Sequence, residues 1–174
     1  TEQNLTLLPK KKSFFIVGIN DIRYYDVKSP TTSFIYHNAY NGGAALQTTY
    51  TQNVGKNFNF AVEYMGLRSL GFYQNSLASS NNVIFSGHYF SRNKKYEAYA
   101  HYIHQNINNQ ENGGISDVDL FLNGNTNFDN RLNLPVNLTA SDSRFAYRRY
   151  YFSHQFRPFG SEKFPFKIRH TIFH

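Results

Sequence analysis

Apolar and polar residues alternate along much of the chain with a period of two, which is the repeat of a β-strand whose two faces meet different surroundings. The clearest run is residues 58–64, where aromatic and branched side chains share one face and polar side chains share the other. No long segment shows the i, i+3, i+4, i+7 spacing of an amphipathic helix. The pattern therefore predicts an all-β, antiparallel protein.

The same alternation predicts seven strands separated by turn-forming residues. They are expected at about residues 32–40, 43–51, 58–64, 82–91, 96–104, 147–156 and 165–173. Short turns are predicted at 52–57, 92–95 and 157–164, and long loops at 66–81 and 106–143. The connection at 41–43 is short although it lies on the long-loop side. Short turns at one end and long loops at the other are typical of an outer-membrane β-barrel.

The number of strands bears on how the barrel closes. A bacterial barrel has an even number of strands, at least eight, because an open edge in lipid leaves backbone groups unpaired. Either residues 12–19 supply an eighth strand, or this is an incomplete segment of a larger barrel, which the apparent strand still in progress at Phe173 favours. We expect residues 1–30 to form a segment before or at the barrel mouth, and residues 31–174 to form barrel strands.

Composition supports a wall between lipid and water. The chain has 14 Tyr and 17 Phe among 174 residues, yet its mean hydropathy is −0.56. A wall with one apolar and one polar face is polar on average, and aromatic rings prefer the two membrane interfaces. No run of about 18 apolar residues predicts a transmembrane helix, and the absence of Cys excludes disulfides and thiolate metal sites.

Period two divides the predicted side chains between a lumen face and a lipid face. The predicted lumen-lining residues are Gln47, Thr49, Asn59, Glu63, Ser86, His88, Glu97, His101, Arg149, Ser153, Lys167 and Arg169. The predicted lipid-facing residues are Leu46, Tyr50, Phe58, Phe60, Val62, Tyr64, Val83, Phe85, Tyr89, Tyr96, Tyr102, Tyr150 and Phe152. Two acids against three bases on the lumen face favour a weak preference for anions. The alternative is that these residues simply hydrate the wall.

Motifs of catalysis and cofactor binding are missing from the sequence, so we expect neither an enzyme nor a bound cofactor. His101 and His104 are three residues apart on a strand and point to opposite faces, which argues against a shared metal ion. Residues 117–119 and 123–129 carry Asp or Asn at alternate positions, as calcium loops do, but Phe128 stands where an EF-hand needs Gly. We therefore predict no metal site.

The charge and the N-terminal segment leave alternatives open. A net charge of +7 fits either an anionic partner, such as lipopolysaccharide, or scattered surface charges. The basic and aromatic run at 147–151 is similar to nucleic-acid binders, but a barrel explains the aromatic pattern better, so no nucleic acid is expected. Residues 23–26, Arg-Tyr-Tyr-Asp, could plug or gate a pore, although packing at the mouth is the preferred interpretation.

Several stretches resemble the putative porin family of Bacteroidetes-type outer membranes. They are residues 21–32 (DIRYYDVKSPTT), 39–41 (AYN), 64–71 (YMGLRSLG) with 73–75 (YQN), and 109–114 (NQENGG). The resemblance runs from about Leu8 to Gly160, and members of that family are much longer, so this chain would match their N-terminal part. It implies a large outer-membrane barrel acting as a channel for small hydrophilic solutes, in contact with outer-membrane lipid. It brings no catalytic residues.

Two other functions stay open. One is a small closed eight-stranded barrel with a structural or adhesive role through the 106–143 loop. The other is a barrel subunit of a larger envelope complex with protein partners.

Overall fold

A computed structural model describes residues 12, 15–39, 42–122, 130–157 and 168–173, with the backbone alone at 121, 168–170 and 173. Seven strands form one sheet, and each pairs antiparallel with the next strand along the chain. They are β1 (Thr31–Ala39), β2 (Gly43–Val54), β3 (Phe58–Ser69), β4 (Ala78–Phe90), β5 (Tyr96–Glu111), β6 (Ser141–Phe156) and β7 (Ile168–Phe173). The prediction of an all-β antiparallel fold is confirmed. Within the described residues β1 and β7 are the two edges, and the sheet is not closed.

The connection between β5 and β6 contains helical structure. This helical structure consists of the five-residue helix α1 (Val118–Leu122) and a 3₁₀ turn at Arg131–Asn133. In the part of the chain that the structure describes, no helix has the length and apolar character needed to cross a membrane.

The strands extend beyond the predicted limits on the long-loop side. β3 continues to Ser69, β4 begins at Ala78, β5 continues to Glu111 and β6 begins at Ser141. The connections are therefore 70–77 and 112–140 rather than 66–81 and 106–143. Asn, Ser and Gln weaken strand propensity, but that propensity is small compared with the cross-strand pairing that continues through these residues.

Of the possible eighth strand at residues 12–19, the described residues 12 and 15–19 are not in a strand. Residues 15–19 form turns and bends, and the backbone N–H of Gly18 donates to Asp21 Oδ2 at 2.7 Å. This local hydrogen bond competes with strand pairing, as Asp side chains commonly do. The apolar run Phe15–Val17 that suggested a strand is instead packed across the sheet.

The strand register separates two faces. One row crosses the sheet through Thr49, Glu63, Ile84, Ile103 and Arg149, which are direct neighbours on β2 to β6. The adjacent row, one residue along each strand, contains Tyr50, Val62, Phe85, Tyr102 and Tyr150. Because successive side chains of a strand point to opposite faces, we call the face of the first row the inner face and the other the outer face.

The two long connections pack on each other. Asn75, in the 70–77 loop, donates from Nδ2 to the carbonyl oxygens of Glu111 at 2.8 Å, Leu138 at 3.1 Å and Ser141 at 3.3 Å. Leu134 and Val136 are buried in the same layer. The described parts of the two connections thus pack together at one end of the sheet.

Candidate functional site

The outer face carries a band of apolar and aromatic side chains. All thirteen predicted lipid-facing residues lie on it. Its rings contact one another along the rows, with centroids 4.8 Å apart for Tyr102 and Tyr150 and 6.3 Å apart for Phe85 and Tyr102. Phe85 and Tyr150 remain about half exposed, at 48% and 57%. Such a patch on a protein in water marks a surface that something else covers.

The inner face holds the predicted lumen residues. Ten of the twelve predicted positions lie on it: Gln47, Thr49, Asn59, Glu63, Ser86, His88, Glu97, His101, Arg149 and Ser153. Of the other two, Lys167 falls outside the described residues, and Arg169 is described by its backbone alone, opposite Gln155. That these side chains line a water-filled lumen stays a prediction.

Apolar residues also occur on the inner face, and the sequence analysis missed them. Ile84 and Ile103 are buried together with Ile22, and Val17 and Tyr147 pack against this cluster. The signal was present in runs such as Val83-Ile84-Phe85, because consecutive apolar residues indicate a strand covered on both faces. Strict alternation predicts that the middle residue of such a run, here Ile84, faces water.

The cover of the inner face is residues 15–30, which we call the inner strap. Near the long loops, Gln105 Nε2 donates to the carbonyl oxygen of Phe15 at 2.6 Å, and its Oε1 accepts from the backbone N–H of Val17 at 3.3 Å. Just before the strap, Lys12 Nζ donates to the carbonyl oxygen of Ser143 at 2.8 Å.

At the short-turn end, the strap is held by Asn53. Its Nδ2 donates to Asp26 Oδ1 at 2.8 Å, and its Oδ1 accepts from the N–H of Val27 at 3.3 Å. The register places Asn53 in the same row as Ser153, ten residues from Ser143 on β6, which is about 33 Å of strand. The strap therefore runs along most of the sheet's height.

Arg149 is the main side-chain anchor of the strap's centre. Its Nη1 donates to the carbonyl oxygen of Val17 at 3.1 Å, and its Nη2 donates to that of Gly18 at 3.0 Å. Two further bonds, from Nη1 to Tyr147 Oη and from Nε to His101 Nε2, are each 3.1 Å long. These four bonds orient the guanidinium, and Arg149 as a whole is 7% exposed.

His101 lies between Arg149 and the strap. Its Nδ1 is 2.7 Å from Tyr24 Oη, while its Nε2 accepts from Arg149. Its ring stacks on Tyr151, with centroids 4.6 Å apart. Both ring nitrogens are therefore engaged, one with the strap and one with the residue that anchors the strap.

A second polar contact fixes the neighbouring part of the strap. The hydroxyl of Tyr25 hydrogen-bonds Glu63, and Arg23 lies close enough to interact with that carboxylate. Ser86 Oγ donates to the carbonyl oxygen of Arg23 at 3.0 Å. Burial raises the pKa of the Tyr24 hydroxyl far above its usual range, and burial with the nearby Glu63 charge raises that of Tyr25. Both hydroxyls accordingly stay protonated at neutral pH.

Residues 23–26 thus lie on the inner face, where Tyr24 and Tyr25 contact the middle of the sheet. The sequence alone predicts the N-terminal segment before or at the barrel mouth. A groove of about 400 Å³ remains beside the strap, lined by Phe15, Gln47, Met65, Asn82 and other residues of β1 to β5. The strap therefore covers part of the inner face and leaves a groove next to it.

The structure also shows where two other features of the sequence lie. Arg148 and Arg149 point to opposite faces, and Arg148 Nε donates to His104 Nδ1 on the outer face at 3.3 Å. The two arginines therefore do not form one basic patch. Asp117 Oδ1 accepts from the N–H groups of Asp119 and Leu120 at 3.0 and 3.3 Å, so it caps α1. Residues 123–129 of the calcium-like pattern lie outside the described residues.

A family model described as putative porin matches residues 1–174, the whole chain. No curated protein and no solved structure matches the chain.

Proposed function

We propose, since this chain belongs to the family of putative porins, that it forms part of the wall of a bacterial outer-membrane channel for passive diffusion of small hydrophilic solutes. In this proposal the outer face contacts lipid, the inner face contacts the water-filled lumen, and the long loops face the cell exterior. The wall works without a catalytic step or a cofactor.

One observation carries the proposal: the strap packs on the polar face of the sheet and leaves the aromatic face uncovered. In a soluble β-sandwich, the apolar face of each sheet is the one that packs inside. Here the buried polar residues Asn59, Glu63 and Gln105 lie beneath the strap, while Phe34 and Ile172 on the outer face are 68% and 55% exposed. A lipid environment accounts for this arrangement, because an outer-membrane barrel has its apolar band outside.

The height of the apolar band supports the same proposal. On β3 the outer-face residues from Phe58 to Tyr64 are all apolar or aromatic, which is about 20 Å of strand. Beyond them, towards the long loops, the outer face carries polar residues such as Asn81 and Asn106. Arg148 on β6 lies in the row of Tyr64, at the upper limit of the band. Apolar bands of barrels are about 25 Å tall.

Ion preference follows from which inner-face charges remain available to solutes. Arg149 gives four donors to protein partners, so it contributes little to attracting anions while the strap is in place. Glu97 accepts from Gln155 and lies 3.9 Å from Arg157. The weak anion preference expected from the sequence then depends on Lys167 and Arg169, and we retain it as part of the proposal.

The full natural protein, purified from its outer membrane and placed in planar lipid bilayers, tests the proposal. We expect discrete conductance steps in KCl and a reversal potential, under a KCl gradient, of the sign for anion preference. A reversal potential of the sign for cation preference would overturn the proposed anion selectivity but not the proposed channel. A protein that inserts but shows no conductance steps would overturn the channel and favour a structural or adhesive barrel.

A further inference from the structure

The protonation state of His101 is set by its two neighbours. An arginine guanidinium is always a donor, so the 3.1 Å bond from Arg149 Nε requires His101 Nε2 to carry no proton. A neutral imidazole then carries its proton on Nδ1 and donates it to Tyr24 Oη, 2.7 Å away. The hydrogen bonds that hold the strap therefore require His101 to be neutral.

A proton added to His101 has to break this arrangement. The protonated ring would direct an N–H from Nε2 at the N–H of Arg149, and it would place two cations in contact on a buried part of the inner face. Among the described residues, the other groups around the ring supply no compensating negative charge: Tyr24 comes from the strap, Tyr151 from β6 and Ser86 from β4. Glu63, two strands away on the same face, is engaged with Tyr25.

Protonation of His101 affects the strap through both nitrogens of the imidazole ring. Arg149 holds the carbonyl oxygens of Val17 and Gly18, so a displaced guanidinium loosens the strap's centre. Tyr24 is hydrogen-bonded to the same imidazole. Its ring also packs edge-on against Tyr99, with ring centroids 5.0 Å apart. Histidine is the side chain that changes charge in mildly acidic water.

We propose that His101 is a proton-binding site that controls the inner strap: protonation releases the strap from the inner face and widens the lumen. This inference rests on the proposed channel function for its physiological effect. The release of the strap itself can be measured without any conductance.

The test follows the strap and the current separately in the full natural protein. Because residues 1–174 include no Cys, Ile19→Cys on the strap and Arg92→Cys on a short turn accept a specific pair of nitroxide labels. Lowering the pH from about 7.5 to about 4.5 should broaden the distance distribution between the labels and raise the bilayer conductance about twofold or more. His101→Gln should abolish both responses, because an amide can still accept from Arg149 and donate to Tyr24 but takes up no proton.

Two variants control for other acidic and basic groups. His88→Gln changes a histidine on the same face that stacks on Tyr99, and Glu63→Gln removes the carboxylate that holds Tyr25. His88→Gln should leave both the starting distances and the pH response unchanged. Glu63→Gln weakens the contact of Tyr25 with the sheet, so its starting distances should be broader, but lowering the pH should still broaden them further. A response that persists in His101→Gln, or label distances that do not change with pH, would overturn the inference. Broadened distances without any current would support strap release and instead count against the channel.

Discussion

Arg149 Nη2 donates a 3.0 Å hydrogen bond to the carbonyl oxygen of Gly18, across 131 positions of the chain. This bond joins the sixth strand of the sheet to a segment that precedes the first strand. It shows that the inner face is built from two distant parts of the sequence, and that the strap is held by a buried cation.

Removing that cation should release the strap at neutral pH. Arg149→Ala deletes four hydrogen bonds, and we expect it to weaken strap docking by on the order of 2 kcal/mol, because hydrogen bonds from a charged donor to buried carbonyls are among the stronger ones. Arg148→Ala, on the outer face, is the matched control. Conductance at neutral pH should rise in Arg149→Ala and stay unchanged in Arg148→Ala; equal conductance in both variants would refute the anchoring role.

The small apolar cluster beneath the strap should contribute to the barrel's stability. Ile103 is fully buried against Ile22 and Ile84. Ile103→Ala should lower the free energy of unfolding by about 2–4 kcal/mol, the usual cost of such a cavity. Urea unfolding of the protein in detergent measures this loss. Ile35→Ala, at an exposed edge position, should cost far less, and equal losses would argue against a packed cluster on the inner face.

Much of this architecture follows from local pattern, and some of it does not. The alternation at Phe58–Tyr64 predicts both the strand and its two faces, because a strand's side-chain period is geometric. The strand ends at Ser69 and Ala78 were missed, since cross-strand pairing extends ladders through residues of poor propensity. The strap could not be derived, because Gly18 meets Arg149 only through the fold. Ile84 and Ile103 lie in runs of consecutive apolar residues, which indicate that both faces are covered. Alternation alone does not say which part of the chain covers a face.

A charged substitution on the outer face should destabilise the barrel more, the deeper the substituted residue lies in the membrane. Phe85 lies in the middle row of the aromatic surface, so Phe85→Arg should destabilise the inserted barrel by about 2–4 kcal/mol. Phe85→Leu keeps the position apolar and should insert normally. The yield of protein in the outer-membrane fraction, followed by unfolding in lipid vesicles, compares the two; normal insertion of the arginine variant would place Phe85 outside the bilayer.

Asn75 should hold the two long loops together. Its φ of 50° is a conformation that Gly also adopts readily, so Asn75→Gly removes the amide and keeps the backbone. We expect faster protease cleavage within residues 112–140 on intact cells, because three hydrogen bonds from one amide are lost. Asn106→Gly, on β5 away from this contact, is the control. Unchanged cleavage in Asn75→Gly would show that the loops are held by packing alone.

Cysteine mapping of the two faces in the native outer membrane tests the central claim most directly. Single substitutions at Gln47 and His88 on the inner face, and at Tyr50 and Phe85 on the outer face, would each be exposed to a water-soluble maleimide. The account predicts labelling at Gln47 and His88, no labelling at Tyr50 and Phe85 in intact membranes, and labelling at all four in denaturant. Labelling at Tyr50 and Phe85 in intact membranes would contradict it, because the aromatic face would then lie in water and the sheet would not be the wall of a membrane barrel.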